Sequence, residues 1–337
     1  MARIARTALA TALVAGGGAL LVAGILALSR DDPPSDGAQQ AGYRYEAGTA
    51  TGVQETPLVA VDGQPLLLRH ARLIDERDSK TLAELRIADS AAGPVLIDWS
   101  PGPDVPSLNA TVTLTELTGL AQAMQQHVPE QATVLAWWDT SRQLRLLAGT
   151  SVRFGEHLAG ISPIISSRHA PDRPGVEPGE AQFWKIEGDQ ASARRDFDAY
   201  LSALLSPGDQ GIAQLRSLAD GRDAYLVIHV RDLLLLGALH PERLGVAFVD
   251  LPDTGNLHGS INQARYWARD MGYPAYTAYR IADLQPRVVA LTDEASLDTL
   301  IGRLLPFHDP RELRKPVEGL TLVHQAGGFW VFRLDEG

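Results

Sequence analysis

Three apolar runs in this chain stop on side chains able to handle charge. Val134-Leu135-Ala136 leads into Trp137-Trp138-Asp139, Val227-Ile228 into His229-Val230-Arg231-Asp232, and Phe248-Val249 into Asp250. In an open α/β sheet, ligands gather outside the carboxyl ends of the strands, so three such ends on one edge would form a rim. A tryptophan there supplies a flat apolar wall for a sugar ring, a haem edge or a cation. Asp139 can accept hydrogen bonds or bind a metal. His229, Arg231 and Asp232 together make acid/base or anion-binding equipment. Arg142 and Asp250 complete the candidate set, which would bind a ligand or a partner. The plainer expectation is structural: one tryptophan in the core, the other a lid over it, Asp139 as a helix N-cap, and Arg231–Asp232 as an ion pair at a helix start.

Other residue types offer less chemistry. The nine histidines lack a His-x-x-x-His pair and zinc-protease spacing. His157, His169 and His258 could share a metal, but no spacing requires it. No Gly-x-Ser-x-Gly elbow and no dinucleotide fingerprint after a strand occurs. There is no cysteine, which excludes disulfides, a Cys-x-x-Cys-His haem attachment, thiolate-held iron–sulfur clusters and a cysteine nucleophile. Neither a cofactor nor a metal site is expected.

The elements that must position the rim follow from hydrophobic rhythm. Residues 43–109 read as short strands and turns, among them Leu66–Ile74, Leu85–Ala88 and Val95–Trp99. Thr113-Leu114-Thr115-Glu116 is a capping box, and Leu117, Leu120, Ala121 and Met124 follow at helical spacing. Thr133–Trp137, Tyr225–Val230 and Leu244–Val249 read as strands, separated by helices near 139–147, 191–205, 211–219 and 233–239. Residues 256–271 form a further helix, and Asp293 caps one reaching Leu305. Strands alternating with helices predict an α/β fold with a mainly parallel central sheet. The pairs within 275–291 and 317–334 are expected as antiparallel edge strands.

Ahead of all this lies Ala8–Leu28, twenty-one residues without a charge, flanked by Arg3 and Arg6 before and Arg30-Asp31-Asp32 after. As a helix it would span roughly 30 Å, enough for a bilayer's hydrocarbon. The arginines keep the N-terminus cytoplasmic and the bulk of the chain is carried across the membrane. A cleaved signal peptide ending near Ala27 and Ser29 is the rival. Ala15, Ala19, Ala23 and Ala27 share one helical face, through which a homodimer could form. The expected division is an anchor over 1–30, a linker over 31–42, a β-rich membrane-proximal region over 43–109 and an α/β domain over 110–337. With 30 basic and 41 acidic residues, a formal net charge of −11 argues against nucleic acid as a partner.

Four segments carry a resemblance. Residues 136–143 (Ala-Trp-Trp-Asp-Thr-Ser-Arg-Gln), 228–239 (Ile-His-Val-Arg-Asp-Leu-Leu-Leu-Leu-Gly-Ala-Leu), 290–296 and 327–333 look like the hydroxylamine-oxidation accessory protein family. Genes of that family lie beside the one for the multihaem hydroxylamine oxidoreductase. The resemblance implies a single-pass inner-membrane protein facing the periplasm. Its partner would be that oxidoreductase or another periplasmic electron-transfer protein. It assigns no catalytic residue, so an enzyme or a glycan- or small-ligand-binding domain using the Trp-Trp-Asp rim stays open. Residues 130–282 also resemble, in order of elements, the soluble domain of oligosaccharyltransferase catalytic subunits, whose Trp-Trp-Asp motif recognises an acceptor. Here Thr140 and Ser141 replace the residues that complete that motif.

Overall fold

The computed structural model describes residues 43–50, 58–76, 78–91, 93–102, 112–156, 158, 178–187, 190–252, 257–280, 286–308 and 316–335. The expected anchor and linker lie outside them, as does most of the Pro/Gly-rich stretch 161–179. Among the described residues no helix is long and apolar enough to cross a membrane.

Strands β1 (Tyr43–Ala50), β2 (Leu68–Asp75), β3 (Thr81–Ser90) and β4 (Gly93–Pro101) form an antiparallel sheet in that order. In β3, Ala83, Leu85 and Ile87 point inward and Glu84 outward, the two-residue period of a strand with one buried face. Helix α1 (Leu114–His127) then starts at the expected capping box. The Thr113 hydroxyl accepts from the Glu116 amide at 3.1 Å, and the Glu116 carboxylate accepts from the Thr113 amide at 3.0 Å.

The chain continues through β5 (Thr133–Ala136), α2 (Trp138–Ala148), β6 (Ser151–Val152), α3 (Pro178–Trp184), α4 (Ala191–Leu204), α5 (Gly208–Ala219), β7 (Ala224–His229) and α6 (Val230–Leu239). It closes with β8 (Val246–Asp250), α7 (Leu257–Asp270), β9 (Ala275–Arg280), β10 (Pro286–Leu291), α8 (Glu294–Asp298), α9 (Leu300–Leu304), β11 (Leu320–Ala326) and β12 (Phe329–Leu334). The second sheet has five strands in the order β11-β12-β7-β5-β6, and the third has three in the order β8-β10-β9.

The α/β class holds, but the mainly parallel sheet does not. Among the described residues only β5–β6 and β5–β7 are parallel, and every other pairing is antiparallel. Burial separates the cases. Every residue of β5 and β7 is buried, as a parallel central strand requires. Strand β8 is only half-buried and ends on an exposed Asp250, and it pairs antiparallel with β10 in a sheet of its own. The antiparallel β11–β12 pair does join the five-stranded sheet at one edge, whereas β9–β10 belongs with β8. The helix expected from Asp293 to Leu305 is two short helices, because Thr299 adopts an extended backbone and caps the second through its hydroxyl.

Alternate residues of the parallel strands face two hydrophobic clusters. Leu135, Leu226 and Ile228 join Trp137, Trp138 and the inward side chains Leu73, Leu85, Ile87 and Leu96. Val134, Ala136, Tyr225 and Val227 face α1 and α2, against Leu117, Leu120, Met124 and Leu144. The strand ends therefore emerge between packed layers on both sides.

Candidate functional site: a charge network between two strand ends

Strands β5 and β7 run side by side in parallel, with Thr133 opposite Ala224 and Ala136 opposite Val227. Each leads directly into a helix, so two helix N-termini lie next to each other. Asp139 sits in the first turn of α2, whose N-cap is Trp137 rather than Asp139. Its carboxylate accepts from the Thr140 amide at 2.7 Å. His229 is the N-cap of α6, in the place a serine or threonine usually takes. Its Nδ1 accepts from the Arg231 amide at 3.0 Å, while its own amide donates to Asp232 Oδ2 at 2.9 Å. Because Nδ1 accepts, the ring is neutral with its proton on Nε2. Burial, reinforced by the neighbouring Arg231 charge, holds its pKa well below the ordinary histidine value.

The two helix starts are joined by charge. Arg231 Nη2 lies 2.9 Å from Asp139 Oδ2 and 3.1 Å from Oδ1, and Arg231 Nε is 4.0 Å from Asp232 Oδ1. Asp139, Arg231 and Asp232 are 2%, 2% and 1% exposed. Asp98 of β4 feels the Arg231 charge and is held by Arg86, although its burial outweighs both and raises its pKa. The network thus contains two guanidiniums and three carboxyls, buried except for the Arg86 side chain, which is 35% exposed. Burial, the largest influence on Asp232, lifts its pKa to about 7 against the pull of Arg231. Tyr200 of α4 is fully buried beside the same carboxylates. Desolvation, with Asp232 and Asp139, pushes its phenol well above 10. Among the described residues its hydroxyl has no hydrogen-bond partner.

The expected set is therefore divided. Asp139, His229, Arg231 and Asp232 come together as the strand-end rule requires, but as a closed network rather than an open rim. Trp137 and Trp138 are both inside, Trp137 packed edge-on to Phe197 with ring centroids 5.4 Å apart, so neither offers a wall to solvent. Arg142 is a strut elsewhere, donating to the carbonyls of Gly155 at 3.0 Å and Pro94 at 2.7 Å. Asp250 stands in the three-stranded sheet, paired with Arg287 through contacts of 2.6 and 2.8 Å. In this arrangement the buried four present no surface to a protein partner. Sequence reasoning missed Arg86, Asp98 and Tyr200. The alternation of β3 and β4 placed Arg86 and Asp98 at defined strand positions, but only the fold brings Asp98 within reach of the Arg231 charge. Among the described residues no three His, Cys, Asp or Glu side chains are grouped to hold a metal.

Comparison with known proteins adds a family. A family model described as "HaoA-associated protein HaoB" matches residues 2–334. No curated protein matches the chain. Among solved structures, the C-terminal domain of C. jejuni PglB is similar over 65% of this chain and 99% of its own, at 13% identity and a TM-score of 0.35. That score is too low to carry an argument about fold or function.

Proposed function

Because the chain belongs to the HaoA-associated protein HaoB family, we propose that it is an accessory protein of hydroxylamine oxidation that binds the hydroxylamine oxidoreductase HaoA or assists its assembly. The observation that carries this reading is a family match spanning nearly the whole chain. We further propose that Ala8–Leu28 anchors it in the inner membrane and that the remainder faces the periplasm. The uncharged length of that segment and the arginines ahead of it support this orientation. In this reading the buried network is a positioning device. It locks the starts of α2 and α6 together, and partner recognition falls to surface residues around them.

Affinity purification of the full tagged chain from cells that also make the oxidoreductase tests the reading. The oxidoreductase is expected in the eluate from the membrane fraction, and reporter fusions after Gln40 are expected to be accessible from the periplasm. A chain recovered intact but alone would overturn the association. A chain recovered from the cytosol would overturn the location.

A further inference from the structure

A groove separate from the buried network lies where the loop before β2 meets the outer side of α2. It encloses about 690 Å³, within the range of roughly 300–1,000 Å³ usual for small-ligand sites. Its walls are apolar: Val61, Leu66, Leu67, Val95 and Leu146 line it. Two of these are unusually open for their type, Leu67 at 80% and Val61 at 53% exposure, although the loop is fixed by a bond from the Val61 amide to the Leu146 carbonyl at 3.0 Å. These side chains give the groove an apolar wall on a fixed backbone.

The polar part of the groove carries both signs of charge, with arginines in excess. Arg142 and Arg145 lie one helical turn apart and both donate to the same oxygen, the Gly155 carbonyl, at 3.0 and 2.6 Å. Burial, and after it the like charge of Arg145, lowers the Arg142 pKa to about 10 against the pull of Glu156. Among the described residues neither guanidinium makes an ion pair, and the nine-tenths-buried Arg142 also has an Nε without a hydrogen-bond partner. Arg69, also on the lining, is already neutralised by Asp89 at 3.0 Å. Asp62 also lies on the lining and Glu156 acts on Arg142, so the lining sets three guanidiniums against two carboxylates, with its excess positive charge at the Arg142–Arg145 end of an apolar trough.

We propose that this groove binds a small free amphiphilic anion, with its apolar body along Val61, Leu66 and Leu67 and its carboxylate at Arg145 and Arg142. The guanidinium pair fits a planar anion, which would relieve the repulsion between the two cations. This inference is independent of the association with the oxidoreductase.

The test uses the full chain and a dodecanoate probe carrying a photoreactive diazirine. Labelled peptides are expected within 58–69 and 142–146, competed by unlabelled dodecanoate. Labelling is expected to fall at least tenfold in Arg145→Gln and in Leu67→Glu, both substitutions at exposed positions. Equal labelling by the uncharged dodecanol probe would overturn the anion assignment. Label confined to Ala8–Leu28, or competition by phosphatidylglycerol vesicles but not by free dodecanoate, would overturn the site. Labelling competed by an acidic peptide but not by dodecanoate would overturn it in favour of a protein occupant.

Discussion

Replacing Arg231 with methionine would strand the carboxylates of Asp139 and Asp232 in the core with no cation between them. Removing one partner of a buried pair costs about 3–5 kcal/mol, far more than the pair contributes against an apolar isostere. Urea unfolding of Arg231→Met should show that loss, and a change under 1 kcal/mol would mean that the network is hydrated. Asp232 makes a second, pH-dependent prediction. Its pKa rises from 3.8 in the unfolded chain to about 7 in the fold, so its contribution is complete below about 4 and fades as pH rises through 7. His229 acts oppositely. Its pKa is depressed in the fold, so its contribution is complete above 6.5 and fades on acidification. Asp232→Asn keeps an acceptor for the His229 amide and removes the titration. Its urea midpoint should therefore climb more steeply between pH 4.5 and 6.5 than that of the parent chain. An unchanged pH profile would show that Asp232 is ionised throughout.

The helix starts depend on their neighbours as well as on their caps. Gly328, in the turn between β11 and β12, has its amide 3.0 Å from Glu116 Oε1 and its α-carbon against the His229 ring. A Cβ there would stand 2.1 Å from His229 Nε2. Gly328→Ala should destabilise by about 1–3 kcal/mol, the usual cost of overpacking. A neutral result in thermal unfolding would mean that the His229 cap can move. Local signals made much of this level legible. The capping box at Thr113–Glu116 and the mainly apolar runs of β5 and β7 were readable because one short segment carries the whole physical reason. The partner of β8 was not, since its Val-Ala-Phe-Val run fits a parallel or an antiparallel neighbour equally and only its half-exposure in the fold decides. The approach of Asp139 to Arg231 followed from topology, while its burial depended on α4 and β4, which no local pattern places over it. Nor could spacing say that Arg142, three residues beyond Asp139, reaches Gly155 and Pro94 instead.

At the scale of the molecule, the three sheets of the described residues and their helices build layers that close over the strand ends. A formal charge of −11 sets the long-range field of that surface, so attraction to a basic partner should weaken as salt rises. Family membership ties the chain to HaoA, and direct binding is the claim that most needs a number. Sedimentation velocity on the purified full chain mixed with purified HaoA, compared with each alone, supplies it. A boundary heavier than either component, at fixed stoichiometry and depleted by 0.5 M salt, is the predicted result. Two boundaries that superimpose on the separate runs at every concentration, with both proteins folded, would contradict the account.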